Sequence, residues 1–277
     1  MGKIKAWEVS DAFWEKAATL IPSPQRDPGK TYQRKAGAGR PPMDPRKVFE
    51  AIVYVLRTGI QWKALPKDIY GSPSAIHTYF QKWHRAGFFT ELWRAGLAEY
   101  DEMEGIAWEW LSIDGSQGKA PLAQEAVGPN PTDRGKNGSK VSLLVDGRGA
   151  PLSLVVCGAN RHDVTQLEPL LDALVVPEMR PDQVIHLCAD KGYRGMPANE
   201  AMWDRNYAPH VPVAEEERTI ILNDPDHRPR RWVVEVAHSW FKRFRKLLVR
   251  FEKTVASFVA LLHLAAAVIC WRKAGVI

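Results

Sequence analysis

At 277 residues, with 45% apolar side chains, the chain can bury an ordinary core, which excludes global disorder. Its formal net charge of +6 is unevenly placed: residues 228–277 carry 11 basic and 2 acidic side chains, while residues 111–227 carry 11 basic and 17 acidic ones. A basic tail beside an acidic middle is the footprint of a polyanion binder, the alternative being a solvated basic surface.

The opening MGKIKAWEVSDAFWEKAA has no uninterrupted apolar segment and so no signal peptide. Residues 10–21 read as a short capped helix with Phe13, Ala17 and Leu20 on one face. Residues 22–43, rich in Pro, Gly and positive charge, read as a basic linker. Its Gly39-Arg40-Pro41 is also the type of tripeptide that enters narrow A·T minor grooves, though a plain linker explains it as well. DPRKVFEAIVYVLRTG is a helix with Asp44 as cap, Pro45 at the first position and Gly59 as stop. SPSAIHTYFQKWHRAG is a second, capped by Ser72, with Ile76, Phe80 and Trp83 facing inward. Two helices joined by a compact segment match a helix-turn-helix reader. Ser74, His77, Thr78, Gln81, Lys82 and Arg85 are then the polar positions available to DNA; the alternative is a helical packing domain.

From Trp110 the texture changes to short β-branched runs: WLSIDGS, KVSLLVDGRG, APLSLVVCG, VIHLCADKG and YAPHVPV, with Asp146-Gly147 as a hairpin turn. An amphipathic helix, RHDVTQLEPLLDAL, separates the third and fourth of these. The pattern predicts an α/β sheet covered by helices. Glu215-Glu216-Glu217 reads as solvated loop. Residues 255–271 are apolar but shorter than the roughly 20 residues a membrane span requires, so they predict a buried core helix. Cys157, Cys188 and Cys270 lack metal-ligand spacing and predict reduced, buried thiols in a cytoplasmic protein.

Asp114 and Asp190 each end an apolar run, and in open α/β sheets ligands gather outside the carboxyl ends of strands. Two carboxylates there repel unless a cation lies between them, and a few carboxylate oxygens with water and phosphate make a Mg²⁺ site. The third acid is less expected. RRWVVEVAHSWFKRFRKLLVRFEK, residues 230–253, has eight basic residues opposed by Glu235 and Glu252 alone. Read as one helix at about 100° per residue, it places Glu235, Ser239, Lys242 and Lys246 on one face. Ala237, Phe241, Phe244, Leu248 and Phe251 fall on the opposite, core-facing side. Glu235 is then a third metal ligand, with Lys242 and Lys246 beside it for DNA phosphates; an ordinary charged face is the alternative.

Arg231, Glu235 and Lys242, with three and six residues between them, resemble the glutamate-region signature of bacterial insertion-sequence transposases of the Asp-Asp-Glu (DDE) type. GRPPMDPRKVFEAIVYVLRTGIQWKALPKDIYGSPSAIHTYFQKW, DRGKNGSKVSLLVDGRGAPLSLVVCGANRHDVTQLEPLL, ADKGYRG and VVEVAHSWFKRFRKLLVRFEK all resemble blocks of the insertion-sequence-five branch, in order, over nearly the whole chain. Two positions depart from the family pattern. Arg228 stands where the signature has tyrosine, and Val236-Ala237 follow the glutamate where Arg-Thr or Arg-Phe is frequent.

The resemblance implies an RNase H-like catalytic domain over residues 106–277, with a mixed sheet flanked by helices, preceded by an α-helical DNA-binding domain over residues 1–105. Asp114, Asp190 and Glu235 become the catalytic acids and metal ligands, for Mg²⁺ with Mn²⁺ able to substitute. The gap between the second and third acids leaves little room for a large inserted domain. DNA contacts are expected from Arg231, Lys242, Arg243 and Lys246, and a supporting role from His162-Asp163, where a helix cap is the alternative for Asp163. The partners implied are double-stranded DNA, as terminal inverted repeats and target, and further copies of the chain in a homodimer or higher synaptic complex, with no membrane. A metal-dependent nuclease without strand transfer and a non-catalytic DNA-binding derivative are the rival functions.

Overall fold

The computed structural model describes residues 7–23, 29–31, 33, 35, 41–177, 184–211, 230 and 232–277. Arg40, the glutamates at 215–217, Arg228 and Arg231 lie outside the described residues.

Five helices come first. α1 (Asp11–Ala18) begins where the Ser10 hydroxyl accepts from the Phe13 amide. α2 (Pro45–Thr58) has the Asp44 carboxylate accepting from the Arg46 amide, and it stops at Gly59 in the left-handed region. A 3-10 turn at Trp62–Ala64 and the single-turn α3 (Lys67–Tyr70) occupy the joining segment. α4 (Pro73–Arg85) buries Ile76, Phe80 and Trp83 as the spacing predicts, although the Ser72 side chain makes no capping bond. α5 (Phe88–Glu104) leads into the sheet.

The strands are β1 (Trp110–Lys119), β2 (Gly128–Pro129), β3 (Asn137–Val145), β4 (Pro151–Gly158), β5 (Ile185–Cys188) and β6 (Tyr207–His210). β3 pairs antiparallel with β1 on one edge and with β4 on the other, where β2 extends the β4 side. β5 and β6 continue from the opposite edge of β1, both parallel to it. The order β4-β3-β1-β5-β6, with β3 alone running against the rest, is the mixed RNase H-like sheet that the resemblance implies. The sheet carries helices on both faces. α8 (Trp232–Lys242) and α9 (Val255–Lys273) cover one; α6 (Leu167–Asp172) and α7 (Met196–Trp203) belong to the other.

The β3–β4 turn is anchored by one buried carboxylate. Asp146 accepts from the Arg148 and Ala150 amides, from the Ala107 amide and from the Tyr100 hydroxyl. The left-handed residue of this turn is Gly149, not Gly147.

Two sequence expectations fail. Residues 163–172 form a 3-10 turn and then the short α6, and residues 230–253 are not one helix. α8 ends at Lys242, and a 3-10 turn follows at Arg245–Leu247. Packing against α2 ends it: a Cβ on Gly59 would stand 3.0 Å from the Arg245 carbonyl carbon, so two backbones meet there. The chain then runs beside the end of β1, Arg250 N donating to Lys119 O over 2.8 Å. Leu248 and Phe251 therefore do not face the core but are each 50% exposed.

The core is continuous across residue 105. α9 is buried along most of its length against α5 and β4, as a core helix. Trp93 Nε1 donates to Pro151 O over 2.9 Å, and Trp271 Nε1 donates to Leu92 O over 3.0 Å. His263, inside this apolar helix, is satisfied by the Thr90 hydroxyl at 2.9 Å and packs on Trp93. The three cysteines are free thiols; Cys188 and Cys270 are buried, and Cys157 is half-buried.

The α5–α9 contact is close because Gly96 has no side chain. A Cβ there would lie 2.9 Å from Trp271 Nε1 and 3.2 Å from Cys270 Cβ. Gly96→Ala adds about 1 kcal/mol of helix propensity, but overpacking of this kind costs about 1–3 kcal/mol. We expect a lower urea midpoint for Gly96→Ala; a raised one would show that α9 can move away freely.

Candidate active site

The parallel pairing of β1 with β5 places the first two acids. Ser112 pairs with Cys188, so Asp114 and Asp190 each lie two residues beyond this register pair of adjacent strands. Asp114 does not end its strand as the sequence suggests; β1 continues to Lys119 because β3 goes on pairing with it. Asp190 lies beyond β5 and starts a 3-10 turn, its carboxylate accepting from the Gly192 amide at 2.8 Å.

Glu235 stands exposed in the first turn of α8, within electrostatic reach of Asp114. Burial pushes the Asp114 carboxyl up to about 6; a backbone hydrogen bond from Gly115 opposes this, and the charges of Asp190, Asp163 and Glu235 add to it. The three acids are thus one electrostatic group. Among the described residues no three His, Cys, Asp or Glu side chains converge tightly enough to enclose a metal ion. The donor chemistry still suits a hard divalent cation, since mutually repelling carboxylate oxygens are what such an ion binds.

Asp163 belongs to this group from behind. A Cβ on Gly115 would meet Asp163 Oδ1 at 2.6 Å, and one on Gly192 would meet Oδ2 at 3.1 Å, so both glycines leave room for its carboxylate. Lys140, only 4% exposed, donates to Asp163 Oδ1 at 2.7 Å and to Arg161 O at 2.6 Å. Asp163 therefore acts through an ion pair rather than as a helix cap, while His162 is exposed beside it. The signal for Lys140 in the sequence was slight: a lysine at the head of the mostly apolar run VSLLV.

His238 is a second residue the sequence reading missed. It lies one turn after Glu235, and burial pushes its imidazole down to about 4, so the ring is neutral. A carbonyl can only accept, so Nε2–H donates to Asp114 O, 3.3 Å away; Asp114 Oδ2 stands 3.7 Å from the same nitrogen. This bond ties α8 to the strand carrying the first acid. The usable signal was the i,i+3 spacing from Glu235 on one helix face.

The basic residues divide. Lys242 is exposed and lines a groove with Ser116, Gly118 and His238 along the far half of β1. Lys246 does not share that face: it is 5% exposed and paired with Glu252 at 3.1 Å, because the helix has ended before it. Arg243 is exposed but lines a different recess with Trp240 and Arg272. On α4, Ser74, Thr78, Lys82 and Arg85 are exposed. His77 instead packs on Trp62, and Gln81 donates to the Ser257 hydroxyl over 2.9 Å, so both face the start of α9.

Residues 110–270 match the family model described as "Transposase DDE domain", and residues 9–93 match one described as "Putative transposase of IS4/5 family". The chain is 39% identical over 152 residues to the Burkholderia cepacia protein named "Putative transposase for insertion sequence element IS402", covering 52% of this chain and 68% of that protein. It is 27% identical over 124 residues to "Insertion element IS402 uncharacterized 16.2 kDa protein" from the same organism, covering 44% and 80%. Among solved structures it has a distant likeness to "Mos1 transposase paired-end complex with left transposon end", at 13% identity and TM-score 0.36 over 87% of this chain and 78% of that one. With a transposase model matched over more than half its length, the chain belongs to the DDE transposase family, enzymes that cut DNA and join it to new sites.

Proposed function

We propose that Asp114, Asp190 and Glu235 are the catalytic acids, that they hold divalent cations, with Mg²⁺ the working ion and Mn²⁺ a substitute, and that the chain cuts the inverted-repeat ends of an insertion sequence. The observation that supports this reading most is the parallel register of β1 with β5, which carries Asp114 and Asp190 two residues beyond the paired Ser112 and Cys188, together with the bond from His238 of α8, one turn after Glu235, to Asp114 O. The bound cation would supply the Lewis acidity that activates water and stabilises the leaving oxygen.

The protein's part is positional. Asp114 is fixed by its pairing with Leu143 of β3, by the pairing of β1 with β5 up to Ser112, and by His238 from α8. Asp190 is fixed by the turn its own carboxylate closes. Asp163, neutralised by Lys140, supports both from the reverse face of the sheet and is a positioning residue. Lys242, in the groove beside His238, is placed to receive a phosphate of the cut strand. Hydrolysis leaves a 3′-hydroxyl. In joining, this hydroxyl takes the place of water: it loses its proton and forms a bond to the phosphorus of a target phosphodiester. It displaces the target strand's 3′-oxygen, which leaves as a hydroxyl after taking up a proton, so one phosphodiester replaces another without a covalent protein intermediate. Ser74, Thr78, Lys82 and Arg85 form the proposed end-reading face of α4. The working form is proposed to be a homodimer or higher assembly on DNA, in the cytoplasm.

Asp114→Asn, Asp190→Asn and Glu235→Gln should each abolish cleavage and the joining of pre-cut 3′-hydroxyl ends while leaving end binding intact, because each removes ligand charge at nearly constant shape. Near-wild-type cleavage by any one variant removes that residue from the site. Loss of joining without loss of cleavage would point to a nuclease.

The pH dependence of metal-free stability gives an independent test. Asp114 titrates near 6 in the folded chain and near its ordinary 3.8 when unfolded, so the folded state holds the proton between those values. Wild-type stability therefore falls as pH rises through this window, and the loss is complete above about 6. Asp114→Asn should unfold at a higher temperature than wild type above pH 6, with the gap closing below about pH 4. Adding Mg²⁺ should narrow the gap at pH 7–8. An equal midpoint for both proteins at pH 8 would show that Asp114 is not under electrostatic strain.

A further inference from the structure

Three arginines at three helix ends converge away from the acids. Arg57 is in the last turn of α2, Arg243 follows α8 directly, and Arg272 is in the last turn of α9. The Arg57 guanidinium carbon lies 4.3 Å over the Phe244 ring, and its Nε is buried without a hydrogen-bond partner. Arg243, Phe244 and Arg272 line one recess with Trp240, Ile269 and Lys273. Lys273 is already engaged, donating to Arg148 O at 2.7 Å and standing 4.9 Å over Trp240. Among the described residues, no acid forms an ion pair with Arg57, Arg243 or Arg272.

The arginines instead act on one another. Burial and then the charge of Arg272 push Arg57 down to about 10, and Arg272 is lowered by burial and then by Arg243. Cations at helix C-termini interact favourably with the helix dipole, and that accounts for each arginine singly. It does not account for three of them meeting without a carboxylate. The recess also looks away from the catalytic groove: Trp240, five residues after Glu235, lies about 140° around α8 from it. Phosphate suits the vacancy in charge, because guanidinium groups bind it through paired, charge-assisted hydrogen bonds.

We propose that Arg243 and Arg272, backed by Arg57, form a second phosphate-binding surface that takes the backbone of duplex DNA outside the catalytic groove. The transposase reading supplies the choice of DNA as the polyanion; the convergence of unpaired arginines stands without it. Binding there is to phosphate and not to bases, so it is independent of sequence.

The test uses the full chain in EDTA, with a random-sequence duplex titrated across a range of salt. Each phosphate contact contributes about 0.9 to the slope of log affinity against log salt. Arg243→Gln with Arg272→Gln should lower the slope by about 2, and each single change by about 1, so the singles serve if the double variant does not fold. Lysine at both positions should keep most of the slope. The same losses should appear in a chain also carrying Asp114→Asn, Asp190→Asn and Glu235→Gln, which separates this result from any failure of the acid assignment. An unchanged slope in folded glutamine variants would overturn the proposal and leave the arginines as helix-end charges. If wild type and the folded glutamine variants bound the duplex with the same slope while wild type alone bound inorganic phosphate at constant ionic strength, the site would be one for free phosphate, and DNA as its ligand would be overturned.

Discussion

Like-charge repulsion at the centre of the sheet is the constraint around which the catalytic half is organised. β1 and β5 run parallel and in register, so two aspartates are carried to neighbouring places, and α8 brings a glutamate to them. Such a group is destabilising in the metal-free chain, and the surrounding structure limits the cost in identifiable ways. His238 is buried in its neutral form. Asp163, the fourth acid in reach, is neutralised by a lysine that gave up nearly all its solvent to do so. Two glycines, Gly115 and Gly192, let that carboxylate approach from the reverse face of the sheet. On the proposed reading the site stores repulsion that a bound cation would relieve, the usual logic of an oxygen-ligand metal centre.

Much of this was legible in the sequence where local chemistry decides the outcome. Asp44, Pro45 and Gly59 bound α2 as expected, and the inward stripe of α4 is Ile76, Phe80 and Trp83. The runs read as strands from 110, 140, 150, 184 and 207 each hold one. What was not legible depended on contacts between distant segments. Residues 230–253 have helical periodicity throughout, but the approach of Gly59 to Arg245 ends the helix early. Everything projected along its face beyond Lys242 then fails: Lys246 is buried with Glu252, and Phe251 points to solvent. Charged residues read as surface by default, so Lys140 and Lys246 were hidden by their own type. His77 and Gln81 read as DNA-facing because their contacts lie with Trp62 and Ser257, far apart in sequence.

The two acids of the basic segment are also explained by this geometry. Glu235 lies in the first turn of α8, Glu252 pairs with Lys246, and the end of α8 separates the basic residues that follow Glu235. Lys242 lines the groove beside His238 and the far half of β1, Lys246 turns into an internal ion pair, and Arg243 lines a different recess. A run that looks uniformly cationic on paper serves three different environments within five residues.

The single core shared by α5, α9 and β4 has a mechanical consequence. Trp93 and Trp271 lock α5 to β4 and α9 through buried hydrogen bonds, and Asp146 joins α5 to the β3–β4 turn. Among the described residues, α5 and the sheet thus share one core with no hinge between them. On the proposed reading, a duplex engaged by α4 and by the acids together must itself supply the bending. The stiffness of particular base steps then enters the choice of DNA ends, even at positions the protein never touches.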